Sequence, residues 1–160
     1  MTVVNVQGDV DAKTLTVTAE FDAPIKRVWQ LWEDPRQLER WWGPPTYPAT
    51  VTAHDLTPGG GVSYFMTGPH GDTPHGYWRI LEVDAPLGLA FESGLADDSG
   101  NPTPNTPSMI NRVVLSEQSE GVTRMAIEST FPSLEAMEMF LEMGMQEGIT
   151  GAVSQIDALL

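Results

Sequence analysis

From Ala49 to Phe131 the chain reads as strand after strand, with no helical period between them. The segments are Ala49–Leu56, Gly61–Gly68, His75–Val83, Leu87–Gly94, Met109–Ser116 and Val122–Phe131. Turn chemistry separates most of them: Thr57-Pro58-Gly59-Gly60, Pro69-His70-Gly71-Asp72, Asp84-Ala85-Pro86 and the stretch 117–121. Strands joined by short turns pair antiparallel, so this region predicts a meander. One more strand precedes it. In Thr14–Phe21, Leu15, Val17, Ala19 and Phe21 alternate with Thr14, Thr16, Thr18 and Glu20, a period of two with one face buried.

Two short helices fit between that strand and the meander. Asp22 can cap the first, with Pro24 in its first turn and an end near Glu33. Asp34-Pro35 repeats the signal, and Gly43-Pro44-Pro45 stops the second helix near Trp42. After the meander, Ser133 is a good N-cap. Leu134, Met137, Leu141, Met145, Ala152, Ile156 and Leu159 then fall near one helical stripe, with Glu135, Glu138, Glu142 and Glu147 mainly off it. This predicts one long amphipathic helix, Leu134–Ala158.

A sheet of about seven strands needs its apolar face covered. A helix is about 10–12 Å wide, and strands lie about 4.8 Å apart, so one helix cannot cover such a sheet if it is flat. A curved antiparallel sheet wrapped around the C-terminal helix, an α+β arrangement, solves this and leaves a hollow. A length of 160 residues fits a single domain, 1–160, with residues 1–12 expected to be a loose segment before the first strand.

Eight basic against 22 acidic residues give a net charge of −14, which repels phosphate backbones and anionic lipid surfaces. Nucleic-acid and membrane partners are therefore not expected. With no cysteine, thiol catalysis and thiolate metal sites are excluded. Met1–Lys13 has neither a basic n-region nor an apolar h-region, and no apolar run approaches the roughly 20 residues of a membrane helix, so a cytoplasmic location is expected. There is no GxSxG, P-loop, Rossmann or HExxH motif.

The strand faces supply candidate walls for the hollow. Val62, Tyr64 and Met66 share a face, as do Leu87, Leu89 and Phe91, then Met109, Asn111, Val113 and Leu115, and finally Thr123, Met125, Ile127 and Ser129. Asn111 would be a polar handle among apolar neighbours. In His75–Val83 both faces carry large residues, Trp78 and Ile80 against Tyr77 and Leu81, so its inward face stays open. Trp41 and Trp42 point about 100° apart on a helix, so one is expected in the core and the other at the mouth. Gly144, Gly148 and Gly151 share a face of the last helix. Each costs up to about 1 kcal/mol against alanine, which suggests close approach, ligand space or a bend. With Phe140 on the same helix, the candidate ligand-binding residues are Trp41, Trp42, Tyr64, Met66, Trp78, Phe91, Met109, Asn111, Phe140 and Gly144.

His54, His70 and His75 lack metal-ligand spacing, so neither a metal nor a cofactor is expected. A catalytic role would need one of them together with Arg79 or Glu92. The stretch Leu95–Pro107, LADDSGNPTPNTP, has three prolines and turn-forming residues and almost nothing to bury, so it is expected to be a mobile gate.

The runs PIKRVWQLWEDPRQLERWWGPP (Pro24–Pro45), PGG (Pro58–Gly60), LEVDAPLGLAF (Leu81–Phe91) and EMGMQEGITGAVSQIDALL (Glu142–Leu160) together resemble the Hsp90-ATPase-activator-homologue branch of the START/Bet v 1-like superfamily. The resemblance covers roughly residues 13–160. It implies a helix-grip fold with a cavity between sheet and long helix. Relatives include co-chaperone domains, polyketide cyclases, toxin-sequestering resistance proteins and lipid carriers. The leading expectation is binding of a small hydrophobic or aromatic molecule, for sequestration, transport or sensing. A cavity enzyme of polyketide cyclase or dehydratase type and a protein-interaction module are the alternatives. The surplus of large apolar groups adds the expectation of a homodimer.

Overall fold

The computed structural model describes residues 3–160. Eight strands form one antiparallel sheet: β1 (Val3–Asp9), β2 (Thr14–Phe21), β3 (Ala49–His54), β4 (Gly61–Met66), β5 (His75–Asp84), β6 (Gly88–Ala96), β7 (Met109–Ser119) and β8 (Val122–Thr130). Their spatial order is β1-β2-β8-β7-β6-β5-β4-β3. The meander holds from β3 to β8. The one crossover runs from β2 to the far edge through α1 (Ile25–Glu33) and α2 (Pro35–Trp41). The C-terminal α3 (Leu134–Glu142) and α4 (Met145–Val153), with a closing 3-10 turn at Ile156–Leu159, supply the helical cover. This is the α+β helix-grip arrangement, with eight strands rather than about seven.

The additional strand is β1, within the segment expected to be loose. It pairs with β2 at the sheet edge, from Val3↔Ala19 to Asp9↔Thr14. Its residues past Val4 are exposed apart from half-buried Val6, so the alternation that marks β2 is almost missing.

The first helix starts on Pro24 with no side-chain cap, so Asp22 does not fill the role its position suggested. Asp34 does cap α2, its Oδ1 accepting from the Arg36 amide at 2.9 Å. Val28, Leu31, Trp32, Leu38 and Trp41 are fully buried on the faces these two helices turn to the sheet. Trp41 Nε1 donates to the Leu31 carbonyl at 3.0 Å, which ties α2 onto α1.

The C-terminal helix is not continuous. Ser133 caps α3 as expected, accepting from the Ala136 amide at 3.0 Å. The helix then breaks at Met143-Gly144, where Gly144 adopts φ +87°, a left-handed conformation that glycine reaches without steric cost. An apolar stripe alone does not reveal such a break, because Met137 before it and Ala152 after it are both buried, although Leu134 at the start of the stripe is exposed.

Two further expectations are corrected. Leu95 and Ala96 continue β6, and the residues after them fold back in a hydrogen-bonded turn. Asp97 Oδ1 accepts from the amides of Ser99 and Asn101, the Thr103 amide donates to the Leu95 carbonyl, and Ala96 bridges Pro102. Leu95 and Ala96 are thus strand, and residues 97–103 a hydrogen-bonded turn, where one loose loop was expected. Leu87 is exposed in the turn before β6, while Leu89 and Phe91 do face inward. On β5 the inward residues are Trp78 and Ile80.

Candidate ligand cavity

The sheet's inward face is filled at one end and hollow at the other. At the filled end, Trp78 and Phe91 stack with centroids 4.0 Å apart and planes 20° apart. Trp32 meets Trp41 edge-on at 4.9 Å. Trp42 closes this block, edge-on to Trp78 at 4.8 Å and facing Tyr64 at 6.2 Å. Offset and edge-on contacts of this kind suit the ring quadrupoles.

Beyond Trp42 lies a cavity of about 510 Å³. Its floor is formed by Ser93 and Leu95 of β6, Met109 and Asn111 of β7, and Ile127 and Ser129 of β8. Trp42, Tyr64 and Met66 make one wall, and Phe140 and the α3–α4 junction around Gly144 make the roof. The loop 44–47 forms part of the rim. Its Tyr47 hydroxyl donates to Asp72 Oδ2 at 2.9 Å, a bond that also raises the Tyr47 phenol above its ordinary pKa.

Seven of the ten candidate residues therefore line the cavity: Trp42, Tyr64, Met66, Met109, Asn111, Phe140 and Gly144. Trp41, Trp78 and Phe91 do not. They are buried in the aromatic block behind Trp42 and shape the cavity only by holding that wall. The two tryptophans at the end of α2 divide as expected, with Trp41 in the core and Trp42 on the cavity.

The glycines have separate roles. A Cβ on Gly148 would meet nothing within 4 Å, so this residue leaves open space over the cavity. Gly151 faces the rim loop, where a Cβ would make ordinary contact with Pro44 at 3.5 Å and Pro45 at 3.6 Å, so the approach of α4 does not itself require glycine. Gly76 makes room for Tyr64, because a Cβ there would lie 2.3 Å from the phenol oxygen.

Three buried polar side chains cross the floor. Ser129 Oγ donates to Asn111 Oδ1 at 2.7 Å, and Asn111 Nδ2 donates to Ser93 Oγ at 2.7 Å. Asn111 Nδ2 also points at the Phe91 carbonyl at 3.5 Å, which fixes the amide orientation, since the flipped amide would set two oxygens against each other. Burial pushes the Tyr64 phenol above its ordinary pKa, with the nearby Trp42 indole N–H acting slightly the other way, so Tyr64 is neutral at pH 7. The buried indole N–H groups of Trp32 and Trp78, behind this wall, have no hydrogen-bond acceptor.

Glu147, exposed at the rim, is the one acidic or basic side chain of the lining. The pairing considered for catalysis lies elsewhere. Arg79 and Glu92 are cross-strand partners 3.0 Å apart, with Arg79 exposed on the outer face of the sheet. His54 Nε2 contacts the Trp32 carbonyl at 3.0 Å, His75 Nδ1 contacts the Thr73 carbonyl at 2.8 Å, and no histidine lines the cavity. Among the described residues no three metal-ligating side chains come together.

Ser93 is the floor residue missing from the candidate walls, although period-two alternation continues from Phe91 to Ser93; Ser129 stands on the candidate wall of β8 but not among the candidate ligand-binding residues. The rim residues 44–47 lie in a loop with no periodic signal.

The family model for activator of Hsp90 ATPase homolog 1-like proteins matches residues 22–160. A solved protein from Mycobacterium smegmatis is 50% identical over 99% of this chain and 96% of its own, with a TM-score of 0.91. One from Arthrobacter aurescens is 50% identical over 98% of this chain and 91% of its own, with a TM-score of 0.93. A protein of the dynemicin biosynthetic locus shares the fold at 18% identity and a TM-score of 0.64, over 91% of this chain and 47% of its own. No curated protein matches the chain. No described helix is long and apolar enough to cross a membrane.

Proposed function

The chain belongs to the family of activator of Hsp90 ATPase homolog 1-like proteins, and we propose that it binds a small hydrophobic or aromatic molecule between the sheet and the C-terminal helices. The observation that carries this reading is the cavity itself, about 510 Å³ beside a tryptophan wall. That volume suits a small organic ligand, for which sites run from about 300 to 1,000 Å³. The fold of the family commonly binds hydrophobic ligands. Burial of ligand surface against Met66, Met109, Ile127 and Phe140 would supply affinity at about 25 cal/mol per Å². The methionine thioethers favour tolerance of ligand shape.

Binding is favoured over catalysis because a cavity enzyme needs ionisable groups converging on one point. Here the one acidic or basic side chain is Glu147, at the rim.

Equilibrium dialysis against fluorene, a flat neutral hydrocarbon, tests this reading, with native mass spectrometry of freshly purified protein as the companion measurement. Saturable one-to-one uptake is expected, reduced by filling the cavity. Absence of saturable uptake, with no small molecule retained on the purified protein, would overturn it.

A further inference from the structure

The hydrogen-bond chain on the cavity floor has a direction. Ser129 gives its proton to Asn111 Oδ1, and Asn111 gives one of its amide protons to Ser93 Oγ. Each link uses a donor, so the protons run from β8 through β7 to β6. Ser93 Oγ takes part in this chain as an acceptor, and its own proton has no acceptor in the chain. Its residue is about nine-tenths buried, and so are Asn111 and Ser129. A buried hydroxyl proton favours an acceptor, and a ligand oxygen seated over Ser93 would supply one.

Charge narrows the class further. Glu147 is the one acidic or basic side chain of the lining, and the chain carries a net charge of −14, so an anionic oxygen meets repulsion and no cation.

We propose that the cavity selects a neutral, largely apolar ligand carrying a hydrogen-bond acceptor such as a ketone oxygen, seated on the Ser93 hydroxyl at the end of the Ser129–Asn111–Ser93 chain. This rests on the reading of the cavity as a ligand site and adds which neutral ligands it prefers. The chain acts as a polarity filter: Asn111 holds Ser93 as an acceptor on one side and thereby commits its proton to the other.

The experiment compares three probes of nearly equal shape by equilibrium dialysis: fluorene, 9-fluorenone and fluorene-9-carboxylate. Wild type is expected to bind fluorenone about tenfold more tightly than fluorene, the ratio of one neutral hydrogen bond worth about 1.4 kcal/mol. The carboxylate is expected to bind more weakly than fluorenone. Ser93→Ala should bring the fluorenone-to-fluorene ratio close to one, and Ser93→Thr, which keeps the hydroxyl, should retain the preference. If Ser93→Ala does not fold, the carbonyl stretch of fluorenone bound to wild type decides, a shift to lower frequency than in hexane being expected. Equal binding of fluorene and fluorenone by wild type, an unshifted carbonyl, a preference that survives in Ser93→Ala, or tightest binding of the carboxylate would each overturn the proposal while leaving the cavity a ligand site. Binding of none of the three would overturn the ligand site, and this proposal with it.

Discussion

The two ends of the sheet's inward face are built from the same strands but differ in what they do with space. On β6, Phe91 stacks on Trp78, and two residues on Ser93 opens onto the cavity. On β7, Val113 and Leu115 are core, while Asn111 and Met109 face the hollow. On β8, Met125 is fully buried and Ser129 lines the cavity. The backbone ladder is continuous across this boundary, with Phe91↔Asn111 and Asn111↔Ser129 paired in register. The contrast lies in the side chains and in the helices above them, α1 and α2 filling one end with tryptophans and the broken α3–α4 roof spanning the other. A hollow in a fold of this kind therefore needs no special strand. It needs small or polar residues at the right alternate positions and a solid end stable enough to carry it.

The largest expected effect tests the solid end. Trp32→Ala should cost about 3–5 kcal/mol, since Trp32 is fully buried and touches Trp41, Trp42, Trp78 and Phe91. Denaturant titration measures this, and a loss below 1 kcal/mol would mean the block is not the stabilising half. At the hollow end the pattern should reverse. Gly148→Leu places a side chain where a Cβ meets open space, so fluorene affinity should fall more than tenfold while stability holds or rises by up to about 1 kcal/mol. Equal loss of both would erase the contrast. At the roof, Gly144→Ala should cost about 1–2 kcal/mol through its left-handed backbone, because its Cβ would meet only Glu147 Oε2 at 3.9 Å. A neutral result would show that the break between α3 and α4 is not held by that conformation.

The smallest effect lies on the boundary. Burial holds the Tyr64 phenol above its ordinary pKa, so the neutral form is favoured in the folded state. The stability this contributes is complete below the unfolded value of about 10 and is lost as pH rises through the folded value. Tyr47, through its bond to Asp72, and Tyr77, through burial and then the Glu92 charge, shift the same way. Tyr64→Phe should therefore lessen, not abolish, the fall in stability between pH 10 and higher pH seen by denaturant titration. An unchanged alkaline slope would mean that Tyr64 reaches solvent.

How far this was legible in the sequence follows from the same contrast. Period two placed Asn111, Met109 and Val113 on one face of β7, and Thr123 to Ser129 on one face of β8, because a half-buried strand records its orientation in every second residue. Strand β1 has no such signature, because among Asn5–Asp9 only Val6 is half-buried at this sheet edge. The helix break escaped because the stripe at Leu134–Leu159 survives it, and only Gly144 hints at it. Trp78 and Phe91 were placed on the cavity because large inward residues look alike in sequence whether they fill space or border it. Which of them border it depends on Trp42, whose own place is fixed by the turn ending α2. The turn after β6 was read as loose because hydrogen bonds from Asp97 to Ser99 and Asn101 are local and leave no period.

The crossover from β2 to β3 has a consequence for how the chain reaches this structure. Strand β2 completes its pairing only with β8, so Thr123 meets the Ala23 carbonyl at 2.6 Å and Arg124 meets Glu20 at 2.7 Å, over 100 and 104 residues. The hairpins from β3 to β8 are local and can close one after another, whereas β1 and β2 must wait for the last strand. Loop closure over that span precedes its reward, which slows folding. During synthesis the β2 edge of the first strand pair stays open until β8 arrives, and the rate of that late docking, more than the formation of any hairpin, is expected to set the time the chain needs to become complete.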